Sequence, residues 1–179
     1  MQIIDLSIPD VKLLCAEKHV DERGYFMESF PEKWGKTGNM PLFVQDNFAV
    51  SKRHVLRGMH YQKTRPQAKL VWVSFGSIID VAVDLRKNSS TFLSYVMVQL
   101  TEDNNQQIFI PEGFAHGYLV QSEKAHVHYK VSSSYNPKDE GSFRYDDPTV
   151  HISWPEKSPI LSEKDRTAPF LQIQQKEEV

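Results

Sequence analysis

The sequence has few of the residues on which several common classes of protein depend. Only one of its 179 residues is a cysteine, Cys15, so the chain can form no intramolecular disulfide, Cys-rich zinc site or CxxC redox motif. No apolar stretch is long enough to span a bilayer, and Asp5 and Asp10 stand where a signal peptide needs a basic start and an apolar core. These absences predict a cytoplasmic protein.

An excess of charge of one sign is also missing. The 21 Lys and Arg residues nearly balance the 23 Asp and Glu residues, for a formal net charge of -2. A basic surface for duplex nucleic acid or an anionic membrane is therefore not expected, although a few arginines and lysines suffice for one or two phosphates. The chain also lacks a GxGxxG motif, so we expect no nicotinamide cofactor.

Apolar runs of strand length, separated by turn-forming residues, occupy the middle of the chain. They predict strands at Leu70–Phe75, Ile78–Leu85, Tyr95–Leu100, Gln107–Ile110, Gly117–Gln121 and Ala125–Val131. Short helices are predicted at Pro31–Lys36 and Ser162–Arg166, the second with Ser162 as its N-cap. Without a repeat or a Pro/Gly-rich linker, the pattern is typical of one all-β domain over residues 1–179, an antiparallel barrel or sandwich, with a frayed tail at about 172–179.

The alternation of side chains within two strands indicates which residues face the interior. In Ala125–Val131, Tyr129 shares the apolar face with Val127, whereas His126 and His128 face the other way. In Ile78–Leu85, Asp80 lies opposite the apolar set. If both faces of that strand are covered, Asp80 needs a partner, because an unpaired buried carboxylate is too costly to keep ionised.

Two histidines suggest a cupin that lacks the metal site found in many proteins of this class. The segment PEGFAH, which ends at His116, has the Pro-x-Gly-x-x-His form of the second conserved box of these small barrels. The segment RGMHYQK has only His60 where metal-binding cupins carry His-x-His and a Glu. Two histidines without an acidic co-ligand are insufficient for a typical transition-metal site, so no metal is expected.

A second polar cluster precedes these histidines. Its members, Arg23, Phe26, Glu28, Gln45, Asn47 and Arg57, combine groups suited to phosphate oxygens, a pyrimidine edge and the face of a base. The same pattern is equally typical of an edge strand with a polar rim. The spacing alone does not separate these alternatives.

Longer segments carry a resemblance to a known family. The sequence contains DERGYFMESF, FVQDNFAVS, VLRGMHYQ, QAKLVWVSFGSIIDVAVDLRKNSSTF, IPEGFAHGY, YKVSSSYNPKDE, ISWP and LSEKD, in that order. Over residues 3 to 170 it resembles the dTDP-4-dehydrorhamnose 3,5-epimerases. The resemblance implies a cupin-type jelly-roll barrel with a few short helices, a homodimer that exchanges N-terminal strands, and a reaction without metal or other cofactor. The implied reaction inverts C3 and C5 of dTDP-4-dehydro-6-deoxy-glucose on the way to L-rhamnose.

The same resemblance implies a role for each candidate residue. It makes His60 the base, Asp165 its orienting carboxylate, Lys69 the enolate stabiliser and Tyr129 the acid. The implied substrate contacts are Arg23, Phe26, Glu28, Gln45, Asn47, Arg57, Lys69, His116, Tyr135, Glu140 and Lys164, with Tyr135 stacked on thymine. Asp80 also matches a family position, without a defined role.

Three alternatives remain open at this point. The chain could invert only one carbon in another deoxysugar pathway, it could be a metal-dependent cupin oxygenase or isomerase, or it could bind sugars without catalysis. Inverting one carbon or two depends on fine placement of the acid, which the sequence does not reveal.

Overall fold

Antiparallel strands make up most of the chain in the computed structural model, which describes residues 2–37 and 40–172. In chain order the elements are β1 (Gln2–Asp5), β2 (Lys12–Cys15), β3 (His19–Asp21), β4 (Gly24–Phe26), α1 (Glu32–Thr37), β5 (Gln45–Lys52), β6 (Leu56–Gln62), β7 (Lys69–Phe75), β8 (Ser77–Asp84), β9 (Tyr95–Thr101), β10 (Gln106–Ile110), β11 (Phe114–Val120), β12 (Lys124–Val131), β13 (Glu140–Ser142) and α2 (Glu163–Arg166). Neither helix within these ranges is long and apolar enough to cross a membrane.

The strands form two facing sheets. The six-stranded sheet has the order β1-β2-β10-β7-β12-β5, and the five-stranded sheet has the order β13-β6-β11-β8-β9. The hairpin of β3 and β4 is a separate two-stranded sheet. Neighbours in each large sheet are mostly distant in sequence, so the chain crosses repeatedly between the sheets. This is the predicted all-β jelly-roll architecture.

The core lies between the sheets because alternate side chains of each strand point inward. Val71 and Val127 from the six-stranded sheet meet Ile78, Ala82 and Val120 from the five-stranded sheet, and all five are buried. A second cluster covers the other face of the five-stranded sheet and includes Val81, Val83, Phe143, Val150 and Ile152. Both faces of β8 are therefore covered, which is the condition under which Asp80 needs a partner.

Most of the predicted elements are confirmed. Five of the six predicted strands begin and end within one residue of the observed β7, β8, β9, β10 and β12. The predicted strand Gly117–Gln121 overlaps β11 but begins three residues too late, since β11 begins at Phe114, directly after the turn at Gly113, and pairs with β8 from its first residue. Both helices are confirmed, and the Ser162 side chain caps α2 by accepting a hydrogen bond from the Asp165 backbone N–H. Apart from Gln172, the predicted frayed tail lies outside the described residues.

Candidate active site

Two adjoining cavities lie between residues of the two sheets and α2. The first, the Tyr135 cavity, has a volume of about 280 Å³ and is lined by Gln45, Asn47, His60, Tyr61, Gln62, Gln67, Lys69, Tyr129, Val131, Tyr135, Glu140 and Lys164. The second, the His116 cavity, has a volume of about 300 Å³ and is lined by Ala49, Arg57, His60, Lys69, His116, Tyr118, Tyr129, Ser162, Lys164 and Asp165. Four lining residues are common to both: His60, Lys69, Tyr129 and Lys164. The two cavities thus form one site large enough for an extended ligand.

The tertiary structure brings most of the predicted site residues together. Those that line the cavities are Gln45, Asn47, Arg57, His60, Lys69, His116, Tyr129, Tyr135, Glu140, Lys164 and Asp165. Arg23, Phe26 and Glu28 line neither cavity. Phe26 is 67% exposed on the β3–β4 hairpin, and the Arg23 guanidinium is paired with Asp21 within the same hairpin.

His60 forms a dyad with Asp165. The His60 Nε2 atom lies 2.5 Å from Asp165 Oδ1, and the Ser162 hydroxyl donates to the other carboxylate oxygen at 2.8 Å. Burial alone raises the pKa of Asp165, but hydrogen bonds from His60 and Ser162 outweigh it and keep that pKa below its ordinary value. Because an ionised carboxylate only accepts, Nε2 carries the hydrogen and Nδ1 is left as the basic nitrogen of His60.

Lys69 is the buried cation of the site. Its side chain is 8% exposed on β7, in register with Val131 of β12. Burial lowers the pKa of Lys69 from 10.5 to about 8, although the negative charges of Asp80 and Glu140 act in the opposite direction. At neutral pH the ammonium group is therefore still protonated in surroundings that offer little solvation. Such a charge interacts strongly with any negative charge that develops beside it.

His116 and Asp80 form a second buried pair. His116 Nε2 lies 2.8 Å from Asp80 Oδ2, and the Asp80 side chain is fully buried. The sequence prediction that Asp80 needs a partner is thus confirmed. Burial lowers the pKa of His116 despite the nearby Asp80, so the imidazole is neutral at pH 7. Because its Nε2 donates to Asp80, neutral His116 offers Nδ1 to the site as a hydrogen-bond acceptor without adding charge.

Glycine permits the close approach that puts His60 beside His116. These histidines are register partners on β6 and β11. Next to them, a Cβ atom on Gly58 would lie only 2.5 Å from the Cα atom of Gly117, and Gly58 has a φ of +130°. Only glycine fits both the contact and the backbone conformation.

Tyr129 lies on the opposite sheet from His60. It belongs to β12 in the six-stranded sheet and His60 to β6 in the five-stranded sheet, and both line both cavities. The prediction that Tyr129 faces inward with Val127 is confirmed by its packing against the core. Burial raises the pKa of Tyr129, so its phenol stays protonated at neutral pH. The site therefore has a proton acceptor on one wall and a proton donor on the other.

A hydrogen-bonded network surrounds the half-exposed ring of Tyr135. Its hydroxyl donates to Glu140 at 2.7 Å, and its backbone N–H donates to the Gln45 side chain at 3.1 Å. Gln45 in turn donates to Asn47 at 2.8 Å, while Lys164 forms an ion pair with Glu140. The network holds an aromatic ring, two amides and a cation at one end of the site, a combination suited to a base and a phosphate.

The sequence interpretation missed several lining residues, of which Tyr118 is the most deeply buried polar one. Tyr118 follows His116 by two positions on β11 and is 4% exposed. The alternation rule would have placed it on the His116 face if the strand had been predicted to begin at Phe114. Tyr61, Gln62 and Gln67 were also missed, although they lie within segments that carry the family resemblance.

Comparisons with known proteins identify the family of the chain. A family model described as dTDP-4-dehydrorhamnose 3,5-epimerase matches residues 5–172. The chain belongs to the dTDP-4-dehydrorhamnose 3,5-epimerase family. One member, the dTDP-4-dehydrorhamnose 3,5-epimerase of Methanothermobacter thermautotrophicus, is 46% identical over 92% of this chain and 91% of its own. Among solved structures, an epimerase of this family from Legionella pneumophila in complex with dTDP-4-keto-L-rhamnose has a TM-score of 0.91 and 43% identity, covering 94% of this chain and 92% of its own.

The fold of this epimerase family also accommodates inversion of a single carbon. ChmJ, a 3'-monoepimerase from Streptomyces bikiniensis solved in complex with dTDP-quinovose, has a TM-score of 0.86 and 34% identity, covering 93% of this chain and 86% of its own.

Within residues 2–37 and 40–172, no group of three or more His, Cys, Asp or Glu side chains is arranged to hold a metal ion. His60 and His116 each pair with their own aspartate instead.

Proposed function

We propose that the protein epimerises dTDP-4-dehydro-6-deoxy-D-glucose at C3 and C5 to dTDP-4-dehydro-L-rhamnose, without metal or redox cofactor. The observation that carries this proposal is the pairing of the His60–Asp165 dyad with Tyr129 on the facing wall of the same cavities. Inversion by proton transfer requires a base on one face of the sugar ring and an acid on the other. The two walls supply these groups.

The chemistry begins with the ketone at C4. Both C3 and C5 neighbour that carbonyl, so a base can remove either proton if the enolate oxygen is stabilised. In this mechanism Nδ1 of His60 takes the proton, and Asp165 favours the imidazolium that forms. The buried ammonium of Lys69 faces the developing charge on O4.

The second half of each inversion is reprotonation from the opposite side. Tyr129 gives its phenolic proton to the enolate carbon, and the neighbouring guanidinium of Arg57, which favours the charged form of Tyr129, stabilises the phenolate. Exchange with solvent then returns a proton to Tyr129 and removes one from His60. The cycle closes without net oxidation, in keeping with a reaction that needs no nicotinamide.

The nucleotide is assigned to the Tyr135 cavity. Tyr135 offers a ring for the pyrimidine, Gln45 and Asn47 offer amides, and Lys164 offers a charge for the diphosphate. This assignment places the hexose in the His116 cavity, where the dyad, Lys69 and Tyr129 are within reach. Because His60, Lys69 and Tyr129 line both cavities, the reacting carbons of the hexose lie where the two cavities meet.

We also propose that the active form is a homodimer. Val20, Tyr25 and Phe26 on the β3–β4 hairpin are 75%, 55% and 67% exposed, an unusual density of exposed apolar side chains on so short an element. A hairpin that inserts into a second subunit would bury them and bring Arg23 and Glu28 to the partner's nucleotide site. This would give the three predicted contacts that line neither cavity the role that the family resemblance implies.

A second surface favours the same assembly. The outward face of β5, β7 and β12 carries aromatic rings in mutual contact, with ring centroids of Trp72 and His128 5.2 Å apart and those of Phe48 and His128 4.7 Å apart. Phe48 and Phe75 are 58% and 45% exposed. Sedimentation of the purified protein tests the homodimer.

A cytoplasmic location completes the proposal, in keeping with the single unpaired Cys15.

Incubation with the 4-keto sugar nucleotide in D2O, followed by NMR, tests the proposed reaction. We expect deuterium at both C3 and C5 and a product with the L-rhamno configuration. Deuterium and inversion at one carbon alone would identify a monoepimerase, as described for ChmJ. Binding without deuterium incorporation would identify a non-enzymatic sugar-binding protein. A stoichiometric metal whose removal abolishes turnover would identify a metal-dependent cupin.

A further inference from the structure

The Tyr135 ring is carried by a segment that is neither helix nor strand, residues 132–139 between β12 and β13. The ring is 50% exposed and belongs to none of the three hydrophobic clusters that the described residues form. Packing therefore does little to fix its direction. A stacking surface that is not held in place must be ordered when a base binds, which costs affinity. The contacts that hold this segment therefore determine how well Tyr135 can serve a nucleotide.

Gln62 holds this segment directly after Tyr135. Its Nε2 donates to the Asn136 backbone carbonyl at 3.1 Å, and its Oε1 accepts from the Asn136 backbone N–H at 3.0 Å. The Gln62 side chain is buried, with an exposure of 5%, in the wall of the Tyr135 cavity. A glutamine amide supplies a donor and an acceptor side by side, which neither glutamate nor methionine of similar length does. The residue type at this position thus matches the two backbone groups of Asn136.

The attachments of the segment come from both sheets. Gln62 belongs to β6 in the five-stranded sheet, whereas Gln45, which accepts from the Tyr135 backbone N–H at 3.1 Å, belongs to β5 in the six-stranded sheet. The consecutive residues Tyr135 and Asn136 are therefore tied to opposite walls of the Tyr135 cavity. If only one of the two attachments remained, the segment could turn about it, and the ring would no longer keep its direction.

We propose that Gln62 is a positioning residue of the nucleotide subsite, which holds the Tyr135 ring ready to stack on a pyrimidine. This inference rests on the proposed function, which places the nucleotide in the Tyr135 cavity. Gln62 acts through the backbone of Asn136 and needs no contact with the pyrimidine itself. His60 lies two positions earlier on the same strand, so an effect on nucleotide binding has to be separated from an effect on proton transfer.

The test compares Gln62→Met with wild type in binding dTDP and inorganic pyrophosphate. Methionine has a similar volume but forms neither hydrogen bond with Asn136. We expect the variant to bind dTDP about 3- to 30-fold more weakly, and pyrophosphate within a factor of two of wild type. With the keto sugar, KM should rise by a factor similar to the loss of dTDP affinity, while kcat should stay within a factor of two. Gln62→Asn, whose shorter amide cannot pair with both groups of Asn136, gives the same measurement if Gln62→Met does not fold.

A double-mutant cycle with Tyr135→Ala shows whether Gln62 acts through the ring. Tyr135→Ala by itself should weaken dTDP binding by about 5- to 150-fold, the loss expected for one stacked base. In that background Gln62→Met should have less than about a twofold further effect, because the ring that Gln62 positions is no longer present. A direct contact between Gln62 and the nucleotide would instead give losses that add.

Gln107→Met is the matched control. Gln107 is also a buried glutamine, with an exposure of 1%, and its Nε2 donates to the Ser29 backbone carbonyl at 2.6 Å. It lines neither the Tyr135 cavity nor the His116 cavity, so loss of its amide should leave the dTDP affinity, KM and kcat unchanged. A general effect of removing a buried amide would appear in both variants.

Equal dTDP affinities of wild type and Gln62→Met, or full additivity with Tyr135→Ala, would overturn the inference. An equal loss of pyrophosphate affinity would overturn it as well, because the ring of Tyr135 is not needed to bind that ligand. A fall in kcat with an unchanged KM would also overturn it, since Gln62 would then act on His60. If wild type itself does not bind dTDP, the proposed function fails instead.

Discussion

Replacing Lys69 with methionine should make the protein more stable and almost inactive. The ammonium group is 8% exposed, and burial lowers its pKa from 10.5 to about 8. At about 1.36 kcal/mol per pKa unit, this difference corresponds to a cost of about 3 kcal/mol for keeping the lysine charged in the folded state at pH 7. Methionine fills a similar volume without charge, so Lys69→Met should raise the free energy of unfolding by up to about 3 kcal/mol.

The stability gained in Lys69→Met should depend on pH. Between pH 8 and pH 10.5 the unfolded chain holds a proton on Lys69 that the folded protein has largely lost. The contribution of Lys69 to wild-type stability should therefore rise with pH across this window, and the advantage of Lys69→Met should disappear towards pH 10.5. Below about pH 8 both states are protonated, and the full advantage remains.

Although Lys69→Met should be more stable than wild type, it should be much less active. Without the ammonium group the enolate has lost its stabiliser, and turnover should fall by about 10²–10³-fold, as on loss of one oxyanion donor. In wild type, kcat/KM should decrease on the alkaline side as the pH rises through about 8.

Urea unfolding at pH 7 and pH 10, together with the NMR assay, measures both effects. Lys130→Met is the control, since Lys130 forms a surface ion pair with Asp46 at 2.9 Å and lines neither cavity. It should change stability by less than about 1 kcal/mol and leave turnover intact. Destabilisation of Lys69→Met at pH 7, or turnover near the wild-type rate, would refute the assignment.

Three further predictions concern the acid, the dyad and a structural ion pair. Tyr129→Phe should retain deuterium exchange through His60 but lose inversion by about 10²–10⁴-fold in the NMR assay, and equal loss of both would show that Tyr129 is not the acid. Asp165→Asn should lower kcat by about 10–10³-fold in steady-state assays, less than His60→Asn, because the base remains but its tautomer is no longer held; wild-type rates in His60→Asn would exclude it as the base. Asp84 is fully buried and accepts hydrogen bonds from Arg86, Ser89 and Thr91. Burial alone raises the pKa of Asp84, but these hydrogen bonds lower it well below its ordinary value. Asp84→Asn should cost about 3 kcal/mol in urea unfolding at pH 7, where the wild-type carboxylate is ionised, and less as the pH falls below about 4. Asp146→Asn, at an exposed pair, should cost under about 1 kcal/mol, and an equal cost in both variants would contradict the buried-pair argument.

The first strands and the hairpin could not be predicted from local patterns. β1 and β2 have only four residues each, and β2 is stabilised by pairing with β10, about ninety positions later. β3 and β4 have three exposed residues each. Such segments carry no periodicity long enough to distinguish a strand from a loop, because their stability comes from distant partners.

The sequence by itself determined the elements whose side chains alternate over a long run. The strands β7, β8 and β12 follow from apolar runs of strand length between turn-forming residues, and the inward direction of Tyr129 follows from a period of two, which sterics impose on any extended chain. The capped helix that carries Asp165 likewise follows from Ser162, since its side chain satisfies a backbone N–H locally.

Only the tertiary structure decided which of these residues meet. His60 and Asp165 are 105 positions apart, and His116 and Asp80 are 36 apart, yet each pair is in hydrogen-bonding contact. Their meeting depends on strand order and register, which are set by burial of both sheets together and by the glycine contact between β6 and β11. The same assembly buries Lys69 and so determines the pKa of its ammonium group. These properties belong to the interior that the two sheets enclose, and no local segment of the chain contains them.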